Sequence, residues 1–222
     1  MKTSNFSRRK FLAASLAAAG ATAVPGKIRA EEPAATAGYG DYLIYAKPGE
    51  EELDATEKDI KGPFYREGAP FRATLFEKGD KGERLVVAGT VVARNGRPLA
   101  GAIVDVWQCN ADGRYDNDDP KNPPKKDQYV LRGRIKTNDK GEYEFTTIRP
   151  VPYSIGEGQY RPAHIHLKSS LDGYTPLTTQ IYFKGDKYNK TDRWFKASRE
   201  IDPKPDSKKV LHATFKVVLA RA

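Results

Sequence analysis

Two of the three histidines in the chain stand one residue apart, in Tyr160-Arg161-Pro162-Ala163-His164-Ile165-His166. The segment reads as a strand, and side chains at i and i+2 of a strand point to the same face. Both imidazoles can therefore reach one metal ion while Ile165 turns back into the core. Two histidines leave a metal under-coordinated, so further ligands are needed. A carboxylate from Asp105 or Asp112 would give a two-histidine, one-carboxylate ferrous site, although no acid sits at a position that singles it out. The third histidine, His212, would suit zinc. It falls among Val210, Thr214 and Lys216 on the less apolar face of a late strand, which favours a surface role. Tyrosine is the third option. A phenolate is a hard anionic donor suited to Fe(III), whose charge keeps it deprotonated although free tyrosine titrates at about pH 10. Tyr115, Tyr153 and Tyr160 lie in otherwise loop-like sequence, and Arg161 places a cation beside the histidine pair.

The elements that must position these residues are short β-rich runs separated by turn signals. Leu85–Ala93 is a strand ending at the turn dipeptide Asn95-Gly96. Ala102, Val104 and Val106 alternate with Ile103, Asp105 and Trp107 in the next. Asn138–Gly141 turns the chain into Glu142–Ile148, where Tyr143, Phe145 and Thr147 share a face. Further strands are expected at Ala163–Lys168, Thr178–Phe183 and Val210–Leu219. Strands at this spacing, without helical patterns between them, predict an all-β chain folded as a β-sandwich. Residues 109–135 have no clear period and contain Asp118-Asp119-Pro120 and Pro123-Pro124; long ordered loops of this kind tend to carry function.

Residues 1–30 read as a targeting segment. Ser7-Arg8-Arg9-Lys10-Phe11-Leu12 is a twin-arginine pattern, an alanine-rich stretch follows to Val24, and Ile28-Arg29-Ala30 suits cleavage before Glu31. The apolar run is too short for a mature membrane span and is interrupted by Gly20 and Pro25, so no stable membrane anchor is expected. The expected destination is the periplasm or the exterior, by way of the twin-arginine export machinery, a route that carries folded, cofactor-loaded proteins. The segment holds six of the 38 Lys and Arg residues and none of the 29 acids, so its removal lowers the net charge from +9 to +3. A nucleic-acid partner loses most of its support thereby. Residues 31–61 read as an extended leader and 62–222 as one domain with a single core. The lone cysteine, Cys109, excludes an intramolecular disulfide and, beside Trp107, reads as a packed or pocket-wall residue.

Several motifs together resemble the intradiol ring-cleavage dioxygenases, the family of catechol and protocatechuate dioxygenases. They are Gly62-Pro63-Phe64-Tyr65, Gly101 to Tyr115 (GAIVDVWQCNADGRY), Thr147-Ile148-Arg149-Pro150-Val151-Pro152-Tyr153, Tyr160 to His166, and Thr179-Gln180-Ile181-Tyr182-Phe183. The match spans roughly residues 53–186 in the family's order and approximate spacing. The resemblance implies a prealbumin-like sandwich with long active-site loops and a non-haem Fe(III) held by Tyr115, Tyr153, His164 and His166. It also implies that Arg161 and Gln180 line the substrate, a small aromatic diol, and that Tyr153 is the axial ligand displaced by it. The reaction implied is cleavage by O2 between the two hydroxylated carbons to a cis,cis-muconate-type dicarboxylic acid, with Arg161 stabilising charge on the ring. Two departures touch the pocket. The interval from Tyr153 to His164 is about two residues shorter than in protocatechuate dioxygenase subunits, and Tyr160 replaces a usual tryptophan. No amino-terminal helical segment like that of catechol dioxygenases is expected, which points toward single-domain exported enzymes and protocatechuate dioxygenase subunits as nearer relatives. A homo-oligomer is compatible with the sequence.

Two rival readings differ in class. Gly89-Thr90-Val91, Asn95 to Ala102 and Thr137 to Tyr143 also suit a transthyretin-like binding module without catalysis, which needs no Tyr/Tyr/His/His set. A cupin-type metalloenzyme needs a glutamate shortly after the histidine pair, where residues 167–173 offer only Asp172.

Overall fold

The computed structural model describes residues 52–222; the twin-arginine segment and most of the leader lie outside them. The strands, in chain order, are β1 (Arg84–Ala93), β2 (Ile103–Trp107), β3 (Arg132–Lys136), β4 (Glu142–Ile148), β5 (Tyr153–Gly156) and β6 (Gln159–Arg161). They continue as β7 (His164–Ser170), β8 (Leu177–Phe183), β9 (Glu200–Ile201), β10 (Lys204–Pro205), β11 (Leu211–Thr214) and β12 (Val217–Leu219). The only helices among the described residues are single 3-10 turns at Asn189–Thr191 and Ala197–Arg199, so the fold is all-β. None is long and apolar enough to cross a membrane.

β1 centres the first sheet, antiparallel to β4 on one edge and parallel to β11 and then β12 on the other, with β10 beyond β11. The second sheet runs β3-β2-β7-β8-β9, and β5 with β6 forms a separate hairpin. One apolar cluster joins the inner faces of the two sheets: Leu85, Val87 and Phe145 from the first meet Val104, Ile165, Leu167 and Ile181 from the second. Burying such faces against each other is the principal stabilising term of a sandwich. Ile165 is fully buried in this core, so its neighbours His164 and His166 must point to the opposite, outer face of the second sheet.

The expected strand over Val210–Leu219 is two strands, broken at Phe215–Lys216. The Phe215 carbonyl leaves the ladder to accept the Tyr143 hydroxyl at 2.7 Å, passing over Gly89 so closely that a Cβ there would lie 1.9 Å from it. The stretch 109–135, read as loop, already contains the start of β3; Arg132 is mostly buried and joins β2 through the Trp107–Arg132 pair, a pairing no local period announces. The end of the leader is extended and tied down. The backbone N–H groups of Leu53, Thr56 and Asp59 donate to the carbonyls of Arg94, Val218 and Thr178, which leads the chain across both sheets to the outer face where the histidines lie.

Candidate metal centre

Cross-strand register builds the floor of the site. Trp107 on β2 stands opposite His166 on β7, which stands opposite Gln180 on β8, and His164 faces Tyr182. The Trp107 and His166 rings stack with centroids 4.8 Å apart and planes 5° from parallel, fixing the imidazole. Both histidines are almost wholly buried, at 1% and 2% exposure. His164 Nδ1 lies 2.7 Å from the Pro162 carbonyl, a contact only an N–H can make favourably, so its Nε2 carries a bare lone pair. That Nε2 is 3.2 Å from His166 Nε2 and 3.4 Å from the Tyr115 hydroxyl.

Tyr115 comes from the loop after β2. Asn110 Oδ1 accepts the N–H groups of Asp112 and Arg114, closing a turn whose Gly113 has φ +76°. The loop is then anchored just past Tyr115, because Asp116 accepts from Arg132 at 2.5 and 2.8 Å and from Arg66 at 2.8 Å. Phe64, the third residue of the Gly-Pro-Phe-Tyr motif, stacks on the Tyr115 ring at 4.4 Å. Tyr153 opens the β5–β6 hairpin and stands edge-on to Tyr115 at 5.8 Å and tilted to His164 at 5.6 Å. Gly113 makes room for it, since a Cβ there would meet the Tyr153 Cβ at 2.9 Å.

Electrostatics favour a cation among these donors. Burial pushes the His164 imidazolium down to about 3 and His166 well below the usual range, with Arg161 adding to both, so both rings are neutral. Burial raises the phenols of Tyr115 and Tyr153, while Arg161 pulls both the other way. Four potential donor groups thus gather in a desolvated site, and a positive ion bound there would draw the phenols to phenolates. Two phenolates and two neutral imidazoles form the anionic, hard-leaning set that suits Fe(III) rather than zinc or calcium. The residues fit such an ion.

The other ligand options are not assembled. No group of three His, Cys, Asp or Glu side chains capable of holding a metal occurs among the described residues. Asp105 accepts the Tyr65 hydroxyl at 3.0 Å, and His212 lies on the first sheet beside Asp206 at 3.2 Å. Cys109 packs with Trp107 and Tyr115, its thiol pushed up to about 11 by burial, and is the packed residue of the two expected alternatives.

Arg161 closes the site on the side facing a cleft of about 660 Å³, which Tyr115, Tyr153, Ile60, Tyr160 and Trp194 also line. Its Nε donates to Asp192 at 2.5 Å and its Nη2 to Gln180 Oε1 at 2.6 Å, and its guanidinium lies 4.5 Å from the Trp194 ring centre. Burial works against its charge, but Asp192 together with Tyr153 and Tyr182 more than offsets that and keeps it protonated. Gln180 is held in turn, its amide donating to the Ile60 carbonyl at 3.1 Å, and Tyr182 donates to Asp59 at 3.1 Å. Asp59 is also ion-paired with Arg199. The sequence alone marks no role for Asp192, Tyr182 or Asp59. Tyr182 lies within the motif Thr179-Gln180-Ile181-Tyr182-Phe183, but Asp192 is 31 residues from Arg161 in a turn-rich stretch without a distinctive pattern.

Comparison with known proteins agrees with this construction. The model of a family described as Dioxygenase matches residues 60–219. A chlorocatechol 1,2-dioxygenase of Rhodococcus opacus is 42% identical over 156 residues, covering 62% of this chain and 60% of that protein. A catechol 1,2-dioxygenase of Acinetobacter lwoffii is 38% identical over 159 residues, covering 64% and 56%. The chain therefore spans about 60% or less of the length of these curated relatives. Among solved structures, a 3-chlorocatechol 1,2-dioxygenase from Rhodococcus opacus superposes with a TM-score of 0.70 at 28% identity, over 75% of this chain and 73% of the other. The dioxygenase domain of a carbohydrate-binding fusion from Streptomyces sp. SirexAA-E gives 0.64 at 31% identity, over 76% of this chain and all of that domain. Sandwich, motifs and matched family coincide over the same residues, and the chain belongs to the intradiol ring-cleavage dioxygenase family.

Proposed function

We propose that the protein cleaves a catechol-type aromatic with O2 between its two hydroxylated carbons, at a non-haem Fe(III) held by Tyr115, Tyr153, His164 and His166. The product is a cis,cis-muconate-type dicarboxylic acid. The observation that carries this reading is the convergence of two buried neutral imidazoles and two phenols at the end of a cleft guarded by a buried, paired arginine. A transthyretin-like binding module has no use for that set. Bound Fe(III) would supply Lewis-acid and redox activation of the chelated diol.

The chain's own residues divide the remaining tasks. Tyr115 is locked between Phe64 and the Asp116–Arg132 pair, which suits a permanent ligand. Tyr153 is half-buried on a two-stranded hairpin, and its oxygen, beside the cleft, would accept a substrate proton. Arg161, fixed by Asp192 and Gln180, faces the ring as negative charge develops on it. Its orientation is set before the reaction, so stabilising that charge costs little reorganisation. Gln180 acts chiefly by holding the guanidinium. Oxygen uptake on a panel of catechols, with products identified by mass spectrometry, tests the reading. Incorporation of both oxygen atoms into a ring-opened diacid supports it. A semialdehyde from cleavage at the adjacent carbon would overturn it.

Export is part of the proposal. Arg8 and Arg9 act as a twin-arginine signal in residues 1–30, leaving the catalytic domain to work in the periplasm or outside the cell.

A further inference from the structure

Four large apolar side chains are exposed among the described residues, and three of them, Ile60, Ile155 and Tyr160, stand around the mouth of the catechol cleft. The cleft alone, at about 660 Å³, is roomier than a single ring requires; volumes of about 300–1,000 Å³ hold drug-sized ligands. A second groove of about 470 Å³ opens beside it and shares Ile155, Tyr160, Arg161 and Trp194 with it. Tyr160 stacks on Tyr188 with centroids 4.7 Å apart and planes 12° from parallel, so the groove has a flat aromatic wall.

The groove is also unbalanced in charge. The Arg193 guanidinium lies 4.1 Å from the Trp194 ring centre, and the Lys187 ammonium lies 4.8 Å from that of Tyr188. Neither cation is ion-paired with a carboxylate among the described residues. The one acid that lines the groove, Asp192, is spent: Oδ2 accepts from Arg161 and Oδ1 accepts the Trp194 backbone N–H at 2.8 Å. An aromatic wall with Arg193 in its lining and Lys187 over Tyr188, neither holding a carboxylate, recognises a planar group carrying negative charge.

We propose that this groove is a second substrate subsite, continuous with the catechol cleft, which takes a planar, conjugated, anionic substituent on the ring being cleaved. The substrate class is therefore an extended catechol carboxylate of the 3,4-dihydroxycinnamate type rather than unsubstituted catechol. The inference rests on the proposed ring cleavage and adds the specificity. Tyr188 and Arg193 set that preference without reaching the metal ligands.

Two readouts on the iron-loaded full-length protein and its Tyr188→Ala and Arg193→Ala variants test it. The first is kcat/KM for 3,4-dihydroxycinnamate divided by that for catechol, a ratio in which the fraction of active enzyme cancels. The parent should prefer the cinnamate, and Arg193→Ala should lower the ratio about tenfold, the value of one charge-assisted contact. Ratios unchanged in both variants would overturn the subsite. The second is quenching of the protein's tryptophan fluorescence, from Trp107 and Trp194, by cinnamate, which carries no diol and cannot be cleaved. Saturable quenching in the parent and weaker binding in Arg193→Ala are expected, and non-saturable quenching overturns the groove whatever the turnover. Absence of oxygen uptake on both catechols would overturn the ring-cleavage reading itself.

Discussion

His164 and His166 owe their environment to one alternation: Ile165 is drawn into the sandwich core, and its two neighbours are turned out under Trp107 and Tyr182. His164→Ala and His166→Ala should each abolish most bound iron by elemental analysis, while His212→Ala, on the other sheet, should keep iron and activity near the parent level. Arg161→Ala should lower kcat about 100-fold or more while changing catechol affinity far less, because its charge acts on the developing transition state; steady-state kinetics paired with equilibrium titration separate the two. Asp105 provides a contrast. Burial raises its carboxyl above the ordinary range despite the Tyr65 hydrogen bond and the nearby Lys168 and Arg134 charges. A carboxyl raised on folding stabilises the protein below its unfolded pKa, and that contribution is lost as pH rises through the folded value. Asp105→Asn should therefore gain on the parent in urea-unfolding stability as pH rises above the free carboxyl value of about 4, with iron retained. A stability difference independent of pH would contradict the burial argument. At this scale the four residues of the proposed site are legible because their motifs are local. Asp192, Asp59 and Arg199 are not, since each matters only through a partner brought close by the fold.

The elements show where local patterns suffice and where they fail. β4 matches its expected bounds, and β1, β7 and β8 differ from theirs by a residue or two, because apolar alternation and Asn-Gly or Asn-Asp turns mark them in sequence. β3 and the β5–β6 hairpin are not marked in the sequence, since Arg132 is buried by an ion pair with Asp116 and the hairpin residues 154–160 are exposed, leaving no alternation to read. The break between β11 and β12 is a tertiary event, set by the Tyr143 hydroxyl and the missing Cβ of Gly89. Gly89→Ala should cost about 3 kcal/mol or more in chemical unfolding, because the intruding methyl meets backbone rather than a yielding side chain. Gly113→Ala is expected to act on the site as well as on stability. Its left-handed backbone conformation costs an L residue about 1–2 kcal/mol, and the new Cβ displaces Tyr153. Weakened turnover with iron still bound through the remaining ligands is the expected result; unchanged kinetics would argue that Tyr153 is not placed by this turn.

At the scale of the whole molecule, the sandwich turns one sheet face into a core and the other into the floor of the candidate site, roofed by the end of the leader, the 109–118 loop and the β5–β6 hairpin. Replacing both Arg8 and Arg9 with lysine should hold the precursor in the cytoplasm; normal accumulation outside it, measured by fractionation, would refute the export route. The account's central claim is that two phenolates and two imidazoles hold ferric iron. Its most direct test is the visible absorption spectrum of the purified, iron-loaded protein, with iron content measured on the same sample. Tyrosinate-to-Fe(III) charge transfer should colour the parent red-brown, and Tyr115→Phe and Tyr153→Phe should each weaken or shift the band. A colourless protein replete with iron, or a band untouched by both substitutions, would contradict the claim.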